Sequence, residues 1–299
     1  MPEETEEGPK EEKEERSTGS VLFIGMGCFI LITQLLAVLL ATPFDVAGII
    51  AFEDKNDPLN PLIFFVFIIA FTAFILIVLK YFKHLGEKLV YFVMLGAVTM
   101  TIFYVPYALL YPDVAIPLII TLALVLLLYK YPEWYVLDAT GLILGGGAAA
   151  IFGISLGILP VLLLLGILMV YDAIAVYKTK HMVTLAESVI DLHMPVLFVL
   201  PRKWSFSLLR GDAMEDGFYM GLGDAIIPTV LVVSANYMSG FVYYFGLINA
   251  PALGALIGTL AGYAVLSRIA GRGKPHAGLP FLNSGAILGF AIGYLALML

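Results

Sequence analysis

Two aspartates stand inside apolar runs long enough to cross a bilayer: Asp172 in GILMVYDAIAV and Asp224 in FYMGLGDAIIPTVLVV. An ionisable side chain at membrane depth costs roughly 2.5–3.5 kcal/mol on insertion scales, so it persists where a function needs it. Two carboxyls about 3 Å apart in a poorly solvated site cannot both ionise, and they share a proton. The ionised member takes a proton from water while the protonated one polarises a carbonyl. That is general acid–base hydrolysis of a peptide bond, with no metal, cofactor or covalent intermediate. Paired carboxylates also bind protons or cations, so a proton- or cation-coupled transporter or channel is the alternative. The absence of an internal repeat and the position of both acids near one surface count against transport.

The neighbours suit hydrolysis. Gly221 lies three residues before Asp224, on one face of the expected helix, and clears space there. Leu222 and Gly223 complete the Gly-Leu-Gly-Asp run, with Gly223 admitting backbone close to the acid. Tyr171 precedes Asp172 and offers a phenolic donor at the rim of the site. Pro228 has no N–H and frees the carbonyl of Asp224 from its helical bond.

The elements that must position these acids follow from composition. The 299 residues are 61% hydrophobic and 13% charged, against about 45–50% and 25% for soluble domains, so the chain is an all-α, polytopic membrane protein. About 20 apolar helical residues cross a bilayer core. Spans are expected near 20–43, 59–82, 89–111, 114–132, 136–155, 158–177, 217–238, 245–267 and 278–298. The organisation is then a disordered acidic tail (1–19), six spans (20–177), a long loop (178–216) and three spans (217–299). The first 20 residues hold eight Glu against three Lys or Arg, with nothing to anchor them. Within the loop, VTLAESVIDLHM reads as an amphipathic helix. MPVLFVLP is too short to span and reads as an interfacial or groove-plugging segment.

Nine spans put 15 of the 16 basic residues on one side, with only Lys55 opposite. The positive-inside rule places the N-terminus in the cytoplasm and the C-terminus outside, in a multi-pass cell-membrane protein. At ~1.5 Å per residue both carboxyls sit ~9–11 Å below the cytoplasmic boundary, on antiparallel neighbours. Glycines at four-residue intervals (Gly254, Gly258, Gly262; Gly285, Gly289, Gly293; Gly141, Gly145) read as close helix packing.

Together these residues resemble the signature of presenilin-type intramembrane aspartyl proteases: Tyr-Asp in the sixth span, Gly-x-Gly-Asp in the seventh, Pro-Ala-Leu entering the ninth. VYDAIAV (170–176) and GLGD (221–224) carry the first two motifs. The resemblance covers nearly all of the chain after the tail, and it implies a nine-helix presenilin-like fold. Signal peptide peptidases share both Asp motifs in the opposite orientation, so the orientation derived above favours presenilin. The compact chain is most similar to an archaeal presenilin homologue. It implies Asp172 and Asp224 as catalytic residues and transmembrane protein substrates with an external N-terminus. For the third motif, a literal Pro251-Ala252-Leu253 lies at the wrong end of the membrane. The counterpart is Ala277-Gly278-Leu279-Pro280, where Ala replaces the first Pro and Gly the Ala. Its backbone edge is expected to stay irregular and to pair with an unwound substrate as an added strand.

Other candidates have plainer explanations. Asp45, Asp113 and Asp138 fall near span ends, where caps and helix dipoles account for them. His84, His181, His193 and His276 map to loops, and no His-Glu-x-x-His occurs, which excludes that zinc-protease chemistry. Asn236, Asn249 and Asn283 read as interhelical glue. Cys28 is a lone packing residue, so no disulfide framework exists, and no basic stripe points to nucleic acid. The expected partners are the lipid bilayer and transmembrane substrates; a homo-oligomer and accessory subunits stay open.

Overall fold

A computed structural model describes residues 8–179, 196–210, 217–238, 243–244, 246–270 and 276–296. Its helices are α1 (Gly8–Val46), α2 (Asn60–Leu109), α3 (Ala115–Lys130), α4 (Trp134–Ser155), α5 (Ile158–Ile174), α6 (Leu222–Asn236), α7 (Ala250–Ala270) and α8 (Leu279–Leu295). A π-helical turn, Ala175–Thr179, extends α5. Strands β1 (Leu197–Pro201) and β2 (Gly217–Gly221) form one antiparallel pair; β3 (Tyr243–Tyr244) and β4 (Ile248–Asn249) form another.

α2 holds two apolar segments, Asn60–Phe82 and Lys88–Leu109. A Cβ placed on Gly86 would stand 2.6 Å from the carbonyl oxygen of Val78. Eight residues of straight helix rise about 12 Å, so the chain folds back there and α2 supplies two spans. Among the described residues, six segments are long and apolar enough to cross a membrane, and three shorter apolar helices (α3, α6, α8) accompany them. The nine expected spans are therefore all present as helix.

α4 is the central post: 67% of its most apolar window is buried, against 11% for Asn60–Phe82. Small residues make this possible. Gly145 and Gly146 face Thr33 and Leu36 of α1, and Gly153 faces Val233 of α6. α7 and α8 form the tightest pair. A Cβ on Gly258 would fall on the Gly285 carbonyl, one on Gly254 on that of Gly289, and one on Gly262 on that of Phe281. The glycine stripes are thus a backbone-to-backbone seam, as their spacing indicates. Gly258→Val has no space to occupy. It is expected to cost about 1–3 kcal/mol or more of stability, read as a lowered melting temperature in detergent; an unchanged melt would contradict the seam.

Asparagines stitch the helices. Asn249 caps α7 through its Oδ1 and the Ala252 N–H (2.9 Å), and donates from Nδ2 to the Ala235 carbonyl at 2.8 Å. Asn236 accepts from the Asn249 N–H at 2.9 Å, and Asn283 ties α8 to the Leu165 carbonyl of α5 at 3.2 Å.

Two expectations are corrected and a third is made more specific. The acidic tail is helical from Gly8, because its Glu, Lys and Arg are strong helix formers and α1 already supplies the nucleus. The seventh helix begins at Leu222, not 217, since residues 217–221 pair with 197–201 as strands. For the same reason the apolar piece of the long loop is a strand; β-branched and aromatic residues between turn signals favour that state. The expected loop helix around VTLAESVIDLHM lies outside the described residues.

Candidate active site

Three helix ends meet at the basic end of the bundle: the C-terminal end of α5 and the N-terminal ends of α6 and α8. Asp172 is two residues from the end of α5 and is buried. Its Oδ2 accepts the Leu279 N–H at 3.1 Å, and the Gly278 backbone bonds the same carboxyl. Asp224 lies in the first turn of α6, with Gly221 as the N-cap, and is half-buried. The Leu222 N–H at that helix start is bonded to the Val196 carbonyl at 3.0 Å, and the positive dipole end of the helix lies at the Asp224 backbone.

Asp224 reaches the same segment from the other side. A Cβ on Gly278 would stand 2.9–3.0 Å from the three carboxyl atoms of Asp224. Both acids therefore touch one backbone step, Gly278–Leu279, which holds them within roughly 10 Å of each other. They also interact electrostatically. Matched depth on antiparallel helices does bring the acids together, but through α8 and with Asp224 nearer its helix start than a helix from 217 would allow.

The flanking residues divide in their roles. Gly223 is exposed, with nothing within 4 Å of where its Cβ would stand, so it leaves an opening beside Asp224. Gly221 ends β2 and is not helical, yet it still clears space: its Cβ would stand 3.6 Å from Asp224 Oδ2. Leu222 is a packing peg, buried with its Cδ1 near Gly141 and Gly145 of α4. Tyr171 stacks edge-on against Phe65 at 5.6 Å and hydrogen-bonds Thr72, because α5 packs on α2 along that face, and it also interacts electrostatically with Asp172.

Ala277 is fully buried, and its N–H donates to the Tyr177 hydroxyl at 3.3 Å. That hydroxyl also lies 3.4 Å from His276 Nδ1, so His276 is a site neighbour and not a bare loop residue. Pro280 falls in the first turn of α8, where its missing N–H costs nothing. The Leu279 N–H is bonded to Asp172, so that donor of the 277–280 segment is already engaged. The literal Pro251 packs against Gly293 at the far end of α8, away from both acids.

Three features are not legible in the sequence pattern as read above. Asp138 is not a helix-end cap: it is buried, and its Oδ1 accepts the Val199 N–H of β1 at 2.8 Å. Tyr177 was passed over because the π-helical turn that aims it cannot be read from periodicity. The clue to the β1–β2 sheet was there in LFVLP and GFYMG, short aromatic and branched runs beside Pro and Gly. No group of three or more His, Cys, Asp or Glu able to hold a metal ion occurs among the described residues.

Comparison with known proteins agrees with this architecture. The family model described as signal-peptide peptidase, presenilin aspartyl protease matches residues 26–299. A solved presenilin family intramembrane aspartate protease in a C222 crystal form is 39% identical over 92% of this chain and 99% of its own, with a TM-score of 0.69. A structure described in the same words in a P2 form is 40% identical over 91% and 97%, with a TM-score of 0.65. No curated protein sequence matches. Motifs, membrane helices and matched relatives agree: the chain belongs to the signal-peptide peptidase and presenilin family, and it is an intramembrane aspartyl protease.

Proposed function

We propose that Asp172 and Asp224 are the catalytic pair of this protease. The convergence of both carboxyls on Gly278–Leu279 supports the assignment. A water between them gives a proton to the ionised carboxyl as its oxygen adds to the scissile carbonyl carbon. The carbonyl oxygen takes the proton of the other acid. In the second step the first acid returns its proton to the amide nitrogen, and the C–N bond breaks. The other carboxyl recovers a proton from the collapsing diol. The roles exchange over one turnover, and titration belongs to the pair. The rate is expected to be bell-shaped in pH: lost at low pH when the pair gains a second proton, and at high pH when its last proton leaves. A profile that stays flat through both limbs would contradict shared-proton chemistry.

The substrate reading rests on β2. Val199 pairs with Tyr219, yet its N–H points away from β2 to Asp138. In an antiparallel ladder this makes 199–219 a non-hydrogen-bonded pair, so the backbone of Gly217 and Tyr219 and the Gly221 N–H also face outward. That edge has no backbone partner among the described residues, and it leads within three residues to Asp224. An unwound segment of a transmembrane substrate adds there as a third strand, next to the opening at Gly223. N-methylation of successive substrate amides is expected to block cleavage at alternate positions; loss at every position or at none would remove the strand reading.

The basic end carrying this site faces the cytoplasm under the positive-inside rule, with the N-terminus on that side and the C-terminus outside. Single-span substrates are then cut near their cytoplasmic end. One chain holds both acids, so one copy suffices for chemistry. Purified protein is expected to cleave a tagged single-span peptide in detergent, and to pass no ion current in liposomes. Ion flux without cleavage would overturn the assignment.

A further inference from the structure

We propose that Asp138 is a positioning residue for proteolysis: it closes the outer edge of β1 and sets the register of the strand pair that presents substrate to Asp224. The inference rests on the reading of β2 as the substrate edge and adds what fixes that edge in place.

Asp138 lies one turn into α4, the most buried of the six long spans, and is 4% exposed. Its Oδ1 holds the Val199 N–H at 2.8 Å, while its Oδ2 has no hydrogen-bond partner among the described residues. A buried acid with half its acceptor capacity unused is a poor packing residue, since an apolar side chain would avoid the desolvation cost. What it does provide is a single fixed acceptor at the middle of β1. Around it, α4 holds the same segment by other means. Phe198 lies against Gly141 and stacks on Phe29 at 4.9 Å. Glu133, just before α4, accepts from the Ser207 hydroxyl at 2.6 Å and the Leu208 N–H at 3.2 Å.

The consequence is a one-sided sheet. β1 would otherwise offer outward N–H groups of its own at residues 197 and 199; residue 201 is a proline and has none. Asp138 takes the central one, so an added strand finds its ladder only on β2. Register then passes from Val199 to Tyr219 across the pair, and from Gly221 into the first turn of α6. A slip of β1 by one residue would exchange its two faces relative to β2.

The test compares Asp138→Asn, Asp138→Ala and Val199→Pro in the full chain, using a tagged single-span peptide. Cleavage products are read by mass spectrometry and rates are resolved into kcat and KM. Asn keeps the Oδ1 acceptor, so Asp138→Asn is expected to cleave the wild-type bond at near wild-type rate. Asp138→Ala is expected to raise KM about tenfold and spread cleavage over neighbouring bonds. Val199→Pro removes the donor at a position that the β1–β2 ladder does not use, and it is expected to spread cleavage likewise. It serves as the measurement if the Ala variant fails to fold. Wild-type products and KM from Asp138→Ala or Val199→Pro would overturn the proposal. So would loss of activity in Asp138→Asn, which would make Asp138 a proton-transfer group. If alternate N-methyl blocking is absent from the wild type, the β2 reading itself fails; if it is present while these variants cut normally, only the role of Asp138 fails.

Discussion

Replacement of either Asp172 or Asp224 by Asn is expected to slow cleavage of a reconstituted transmembrane peptide by about a thousandfold or more, the upper part of the range for positioned acid–base groups. Asn has nearly the same shape, and its Oδ1 still accepts the Leu279 N–H that holds Asp172 at 3.1 Å. The fold and melting temperature are therefore expected to stay unchanged. What Asn lacks is the ability to take a proton from water or give one to an amide nitrogen. Each single variant should be about as inactive as the double variant, since the two groups act as one unit. Substantial activity in either single variant would contradict the pairing.

Gly278→Val is expected to lower kcat by about a hundredfold, the scale of an ångström-sized misplacement of reacting groups. The carboxyl atoms of Asp224 lie 2.9–3.0 Å from where a Cβ would stand. A methyl-bearing, β-branched carbon there must push the Asp224 side chain or the Gly278–Leu279 step, and the step also carries the N–H that orients Asp172. Either displacement separates the acids. Because Gly278 precedes α8 and is no part of the glycine seam, stability should change little. Wild-type turnover by a folded Gly278→Val protein would show that the contact with Asp224 does not matter for chemistry.

Nine spans, the two acids and the counterpart of the third motif could all be read from residue patterns, because long apolar runs and intramembrane acids have few alternative explanations. Asp172 and Asp224 stand out by residue type and depth and Gly278 by the resemblance to the third motif, and the three lie together. The failures share a different cause. The apolar run through 217–238 reads as one helix and hides the strand that ends at Gly221; short apolar runs do not distinguish the two states. Asp138 reads as a cap because its partner, Val199, is 61 residues away and belongs to that sheet.

The most direct measurement is a structure of the protein bound to a peptide isostere that carries a hydroxyl in place of the scissile carbonyl. Joint action of Asp172 and Asp224 predicts that single hydroxyl oxygen within about 3 Å of a carboxyl oxygen from each, with the flanking peptide laid along β2. A complex in which the hydroxyl contacts only one of these aspartates, or pairs one of them with Asp138, would contradict the account.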